Sequence, residues 1–330
     1  MSAGPVIAIV MGDPAGIGPE LIVKVLAEDG WRGRCRPFVI GDLQVMRATA
    51  DSLGVALQFQ AIEKLDEAAF AAGQVDVLNP PGHVPVPLPS PGVHPVLGEA
   101  AARYLELAYQ LALQGSVGGV VMAPMNKESF RAAGYDHYDE LQFLGEITGS
   151  DEPFILAATG PVKAVAVTEH IPFADIVHHI TRERVRRHIE HLHQVLRRLG
   201  HAAPRIACAA LNPHGGEGGL FGREEIDVIA PAISDAQALD IDVSGPVPAD
   251  IVFKRALDGD FDGVVCMYHD QMNIARKLLA RSNIATLWLG LPVIGATTAH
   301  GTAFDIAGQG IADPGSLRAA LEYAIRLARQ

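Results

Sequence analysis

The chain has 330 residues, 49% of them hydrophobic, and carries 26 Lys and Arg against 38 Asp and Glu, a formal net charge of −12. That length can bury a large core and exceeds one ordinary domain, so one large or two medium domains are expected. The acidic balance argues against a nucleic-acid partner, which asks for a basic face, but a local basic site still allows an anionic substrate. Cys35, Cys208 and Cys266 show no CxxC spacing, and the last two sit in apolar runs, the usual setting of a buried reduced thiol. A reducing, cytoplasmic location is therefore expected. The opening MSAGPVIAIVMGDP lacks a basic stretch followed by a long apolar one, so no signal peptide is expected. No apolar run approaches the roughly 18 residues that a membrane span needs, so no membrane partner is expected either.

Residues 6–11 (VIAIVM) are a β-branched run followed by the turn GDPAGIGPE and the helix-like ELIVKVLAE, the strand–turn–helix opening of a doubly wound fold. The turn could cradle an anion at the helix start, although a tight turn alone explains its glycines as well. Residues 38–41 (FVIG) predict the next strand, and the proline-dense 80–95 an extended surface connection. Residues 98–114 read as a helix. Residues 118–123 (GGVVMA) read as a buried strand ending in Pro124-Met125-Asn126-Lys127, and 135–149 as a loop entering an amphipathic helix. Residues 162–168 (VKAVAVT) predict a strand ending in Glu169-His170. Residues 181–200 predict a helix with Val185, Ile189, Leu192, Leu196 and Leu199 on one stripe and Gly200 as its cap. His188, His191 and His193 fall mostly off that stripe and read as a solvated face, as do His178 and His179. Residues 205–211 (RIACAAL) predict a strand ending in Asn212-Pro213-His214, ahead of GGEGGLFGREE. A further strand from Gly263 ends on His269-Asp270-Gln271, with Lys277 eight residues past that histidine. Residues 285–289 are the last predicted strand, and a final helix starts near Ser316. Apolar runs alternating with amphipathic helices predict α/β with a largely parallel sheet.

Three apolar strands thus end on histidine: His170, His214 and His269. Ligands in open α/β sheets sit at the carboxyl ends of strands. Three neutral imidazoles with open positions make a catalytic metal site and suit Zn, Co, Ni or Fe better than Mg. The alternative is that each caps its strand by bonding backbone. Asp250 and Asp270 could orient such imidazoles from behind, or act as simple caps. Lys127 and Lys277, just beyond strands, could bind an anionic group or relay protons, though a surface lysine is the default. The glycine-rich 215–222 and 300–310 follow neither the P-loop nor the Rossmann pattern, yet their backbone could approach a dinucleotide closely.

The segments MGDPAGIGPE, APMNK, HIPFADI, LNPHGGEGGLFGREE, GPVPAD, YHDQ, LGLP and HGTAFDIAGQGIAD follow one another in order along nearly the whole chain. In these the chain resembles the 4-hydroxythreonine-4-phosphate dehydrogenase family of pyridoxal phosphate biosynthesis. The last segment is also similar to the adenosine-binding loop of the isopropylmalate and isocitrate dehydrogenases. The resemblance implies two α/β/α domains with largely parallel sheets and the active site in the interdomain cleft, at the interface of a homodimer. The expected division is residues 1–128 plus 296–330, and 129–295 carrying most metal ligands. The resemblance assigns a divalent metal to His170, His214 and His269, zinc first, with cobalt, manganese or magnesium as alternatives. It makes Lys277 the lysine that contacts substrate; Asp270 and Asp250, read from their placement, are expected as further catalytic residues. NAD is expected along His300, Gly301, Thr302, Asp305 and Asp313, and near Gly215, Gly216, Gly218 and Gly219.

Departures from the family pattern concern the substrate. Where family members carry a His-Thr pair that contacts it, this chain has Glu140-Leu141; an Asn becomes Thr286, an Arg becomes Gly295 and an Asp becomes Ala299. Loss of an arginine removes a bidentate, permanently charged phosphate partner, and an added glutamate repels a dianion. The expectation is an NAD dehydrogenase that oxidises a secondary hydroxyl of an unphosphorylated small-molecule hydroxy-carboxylate, resembling the terephthalate cis-dihydrodiol enzymes, followed by β-decarboxylation. Glu140, Leu141, Lys127, Lys277, Thr286 and Gly295 are its expected substrate contacts. The alternatives are 4-hydroxythreonine-4-phosphate dehydrogenase itself, a four-carbon sugar-acid phosphate dehydrogenase, or, from another class, a non-catalytic metal- or nucleotide-binding protein.

Overall fold

Wherever a short Val- or Ile-rich run ends in a glycine or proline turn, the chain forms a buried strand, and the amphipathic stretches between them form helices. The structure is a computed structural model that describes residues 4–31, 33–83, 90–137, 139–279 and 284–328; the centre of the proline-dense connection, 84–89, lies outside the described residues. In chain order come β1 (Val6–Val10), α1 (Gly18–Ala27), β2 (Arg36–Ile40), α2 (Leu43–Leu53), β3 (Gln58–Ile62), β4 (Gln74–Leu78), α3 (Pro95–Leu113), β5 (Gly119–Met122), α4 (Lys127–Ala132) and α5 (Glu140–Thr148). Then follow β6 (Phe154–Thr159), β7 (Val162–Thr168), α6 (Ile176–His179), α7 (Arg182–Arg198), β8 (Ile206–Ala209), α8 (Ala230–Gln237), β9 (Val243–Val247), α9 (Ala249–Leu257), β10 (Gly263–Tyr268) and α10 (His269–Leu279). The chain closes with β11 (Ile284–Leu289), β12 (Gly295–Thr298) and α11 (Gly315–Ala328). Side chains of Asp42, Asn126, Asp139 and Thr181 cap α2, α4, α5 and α7, satisfying N–H groups that the first turn leaves unpaired.

The chain divides into two compact units, Met1–Pro153 with Asn283–Gln330, and Phe154–Ser282. The sequence expectation puts the changeovers at 128 and 295. Residues 129–153 belong with the first unit because α4 packs on α3 so closely that a Cβ on Gly98 would stand 2.0 Å from the Ser129 carbonyl oxygen. Residues 284–289 belong there because β11 pairs antiparallel with β12.

In the first unit the strands run β3-β4-β2-β1-β5-β12-β11. All the pairs are parallel except β11 with β12. Strand order reverses between β1 and β5, the switch point at which such sheets hold ligands. In the second unit the strands run β6-β7-β10-β8-β9, with only β6 antiparallel to its neighbour β7. Its core is made of small and β-branched residues, Ala164, Ala166, Ala207, Ala209, Val264 and Cys266 among them, closed by Phe253, Phe261 and Met272.

One expectation changes in α7. Its stripe is buried as predicted, but His188 is also buried, its ring 5.1 Å from that of Phe154, and His191 stacks on the same phenylalanine at 4.8 Å and 12°. The aromatic neighbour draws the imidazoles in from the flank of the stripe. Among the described residues, no helix is long and apolar enough to cross a membrane.

Candidate active site

The parallel register of the second unit brings its chemistry to one edge. Val264 of β10 lies opposite Ala164 of β7 and Ala207 of β8, and Tyr268 lies opposite Thr168. The residues that leave β7, β10 and β8 therefore emerge side by side: Glu169-His170, His269-Asp270 and Asn212-Pro213-His214. Gln271 ties two of these exits together, accepting from the Met267 N–H at 2.7 Å and donating to the Ala210 carbonyl at 2.8 Å. Thr168 donates its hydroxyl to the Met267 carbonyl at 2.8 Å, which locks β7 to β10 at the same level.

At that edge the rings of His170 and His269 stand 5.4 Å apart, and ligand atoms of Glu169, His170 and His269 all lie within 4.8 Å of one another. His269 Nδ1 is 2.8 Å from Asp270 Oδ1. An imidazole that donates Nδ1–H to a carboxylate presents its Nε2 lone pair outward, the orientation a metal ligand needs. Two imidazoles and a carboxylate within reach of one ion form a donor set that fits zinc or a related transition metal. His214 is outside this close group; Glu169, not singled out from the sequence, is inside it. Behind the group, Arg276 of α10 is buried; desolvation pushes its guanidinium down to about 10, and the charge of Glu169 acts in the opposite direction.

His214 rides on the 3-10 turn Pro213–Gly219, in which His214, Gly215, Gly216, Glu217 and Gly218 all have left-handed backbone, with φ of 53°, 68°, 78°, 45° and 65°. This conformation is easy for glycine and costs an L-residue about 1–2 kcal/mol. The glycines at 215, 216 and 218 thus have a conformational reason to be there, independent of any cofactor. Helix α9, with Asp250 in its exposed first turn, packs against the same turn. Lys277 lies exposed on α10.

The first unit builds its edge from backbone. Gly12 (φ 71°) allows the β1 loop to lie against the β5 loop, where a Cβ would stand 2.3 Å from the Pro124 carbonyl oxygen. The Asp13 N–H donates to that carbonyl at 2.9 Å, and the Ile17 N–H to the Thr302 carbonyl at 3.0 Å. Burial pushes the Asp13 carboxyl up, while the Ala15 N–H that donates to Oδ1 at 2.9 Å pulls the other way. Glu20 accepts from the N–H groups of Gly310 and Ala312, and Lys24 donates to their carbonyls, so α1 grips the end of the 300–313 loop from both sides. A cavity of about 180 Å³ opens between Pro14–Glu20, α2 and Ala307-Gly308.

Of the other expected contacts, Lys127 is exposed at the start of α4, Glu140 opens α5, and Leu141 is buried core. Thr286 is buried in β11, opposite Thr297. Gly295 lies in β12, where an added Cβ would stand 2.2 Å from Tyr109 Oη and 2.6 Å from the Trp288 ring. The room for a side chain at 295 is filled by two aromatics. His300 and Gly301 are exposed, Thr302 is buried, and Asp313 accepts from the Gly315 N–H at 2.9 Å as a cap for α11. Asp305 contributes its backbone carbonyl, which accepts from the Gln309 amide at 2.7 Å.

Residues 33–324 match the family described as pyridoxal phosphate biosynthetic protein PdxA. The chain is 43% identical over 325 residues to a D-threonate 4-phosphate dehydrogenase of Cupriavidus necator, covering 98% of this chain and 97% of that protein. It is 41% identical over 326 residues to a 4-hydroxythreonine-4-phosphate dehydrogenase of Beijerinckia indica, covering 97% of this chain and 94% of that protein. Its fold is similar to the crystal structure of a 4-hydroxythreonine-4-phosphate dehydrogenase from Burkholderia phymatum, with a TM-score of 0.84, 38% identity and 99% of each chain covered. A terephthalate 1,2-cis-dihydrodiol dehydrogenase from Burkholderia xenovorans is also similar, but less so, with a TM-score of 0.69, 30% identity and 98% of each chain covered.

These likenesses overturn the expectation of an unphosphorylated dihydrodiol acid and a decarboxylation step. The relatives at 41–43% identity are named for phosphorylated acids. One missing arginine is weak evidence against phosphate where Tyr109 and Trp288 already stand against position 295. With most of its length matched, the chain belongs to the pyridoxal phosphate biosynthetic protein PdxA family.

Proposed function

We propose that the protein is a metal-dependent NAD dehydrogenase that oxidises the secondary hydroxyl of a phosphorylated four-carbon hydroxy acid, of the D-threonate 4-phosphate or 4-hydroxythreonine 4-phosphate class. The observation that carries this reading is the convergence of His170, His269 and Glu169 within 4.8 Å at one sheet edge. It occurs in a chain 43% identical along almost its full length to a D-threonate 4-phosphate dehydrogenase. When bound, the divalent metal, zinc first, supplies Lewis acidity at the substrate hydroxyl and NAD supplies the hydride acceptor.

The chain's own residues do the rest. His170 and His269 would hold the metal with His214 from its turn as the third imidazole and the Glu169 carboxylate in reach as a further donor, and Asp270 fixes the His269 tautomer through the 2.8 Å contact. Lys277 Nζ donates to the substrate, and the proton released from the hydroxyl passes to solvent. Lys127 Nζ meets the phosphate, since the space at Gly295 leaves no room for a guanidinium. Asp250, on the helix against the His214 turn, orients that imidazole's surroundings. The adenosine end of NAD takes the 180 Å³ cavity beside Ala307-Gly308, with Thr302 and Asp305 in the wall-forming loop that α1 grips. Exposed apolar side chains on the second unit, Phe173, Leu220, Phe221 and Leu278 among them, support a homodimer, because such surface is otherwise kept from water.

The test is NADH formation by zinc-reconstituted protein offered D-threonate 4-phosphate and 4-phosphooxy-L-threonine. Turnover of at least one, abolished by a chelator, is the expected result. Tight metal and NAD binding with turnover of neither would favour the binding-protein reading.

A further inference from the structure

We propose that Glu225 is the positioning residue for His214: its buried carboxylate gathers the N–H groups where the chain leaves β8 and so fixes the left-handed turn that carries the imidazole. The inference rests on the metal reading given above and extends it to a residue that touches neither metal nor substrate.

His170 and His269 leave their strands directly, His269 as the first residue of α10 and His170 two residues past β7. His214 has no such support. It sits five residues beyond β8 with φ of 53°, inside a run of five left-handed residues. A non-glycine residue persists there only when its surroundings over-determine the backbone. Glu225 supplies that constraint. Its Oε1 accepts from the N–H groups of Leu211 at 2.8 Å and Asn212 at 2.7 Å, and its Oε2 from the Asn212 side-chain amide at 3.0 Å. The second hydrogen of that amide reaches Glu224 Oε2 at 2.6 Å. The turn itself lies on the carboxylate, for a Cβ on Gly216 would stand 2.7 Å from Glu225 Oε2.

The anchor is rigid at its other end as well. Glu225 is 4% exposed and opens the π-helical turn Glu225–Ile229, which runs into α8 and buries Ile229 completely. Single π turns within helices are frequent at functional sites, where they re-aim a side chain. A buried carboxylate is expensive unless several donors compensate it. Here three hydrogen bonds do so, all from the two residues that lead into Pro213-His214.

The test is a double-mutant cycle on the full-length protein, with zinc affinity read by chelator competition and cobalt(II) substitution read by absorption. Glu225→Gln is expected to weaken metal binding by about tenfold or more, the usual scale for a group that orients a ligand. Its cobalt spectrum should shift towards that of His214→Ala, while far-UV circular dichroism of the metal-free protein stays unchanged. In a His214→Ala background, Glu225→Gln should cost nothing further. Gly216→Ala, which presses on the carboxylate from the turn side, should act in the same direction, and the same cycle run with it decides the matter should Glu225→Gln not fold. Wild-type affinity in Glu225→Gln, or an equal loss with and without His214, would overturn the positioning role. Wild-type affinity in His214→Ala would instead remove His214 from the metal site, a failure of the underlying reading that the cycle separates from the first.

Discussion

The carboxyl edges of the two units are built in opposite ways. In the first unit the contacts all end on main chain: the N–H of Asp13 to Pro124, that of Ile17 to Thr302, and the side-chain carboxylate and ammonium of α1 to the backbone of Gly310 and Ala312. In the second unit the edge presents side chains, with His170, His269 and Glu169 clustered and Asp270 behind. Close-packed backbone makes a fixed shape for a large cofactor to fill and tolerates no added atoms. Imidazoles and carboxylates make a site whose function vanishes when a donor is removed. One family fold thus carries a surface expected to fail on addition and a surface expected to fail on deletion.

The sharpest way to break this contrast is deletion in the second unit. His269→Ala removes one imidazole and strands Asp270. Metal occupancy should be lost and turnover should fall by about 10³-fold or more, since the Lewis acid contributes several kcal/mol to the transition state. The melting temperature should move little, because His269 is only half-buried. Unchanged turnover in a metal-replete assay would remove His269 from the site.

Addition in the first unit should show the reverse pattern. Gly12→Ala places a methyl 2.3 Å from a carbonyl oxygen at φ of 71°. It should cost about 2–4 kcal/mol of stability and lower the melting temperature by several degrees, with zinc affinity unchanged. A fully stable variant would show that this loop is looser than its hydrogen bonds indicate.

A smaller effect separates the two accounts of the substrate. Gly295→Arg restores a guanidinium where family members have one, yet its Cβ meets Tyr109 and Trp288. Overpacking of this kind costs about 1–3 kcal/mol, and no gain in the use of phosphorylated substrates should accompany it. Improved kcat/KM on a phosphorylated acid would show that the aromatics can yield and that position 295 still faces the substrate.

The alternation of strands and helices was legible because Val- and Ile-rich runs and amphipathic stripes report directly on burial. His170 and His269 were legible for a related reason, since a polar residue at the end of an apolar run marks the sheet's carboxyl edge. Glu169 was passed over, although it adjoins His170, because a single glutamate at a strand end has no periodicity to flag it. Glu225 could not have been found from spacing: its partners Leu211 and Asn212 are 14 and 13 residues away and meet it only through a left-handed turn. The surroundings of Gly295 depend on Tyr109, far along the chain, so a lost arginine read by itself pointed to the wrong substrate class.

Metal-assisted oxidation of a phosphorylated hydroxy acid is decided by the ratio of kcat/KM for D-threonate 4-phosphate over D-threonate. With zinc and NAD saturating, a preference of about 10³ or more is expected, because a site built to pair an anionic group rejects the analogue that lacks it. Equal rates for the two acids, or oxidation of D-threonate alone, would contradict it.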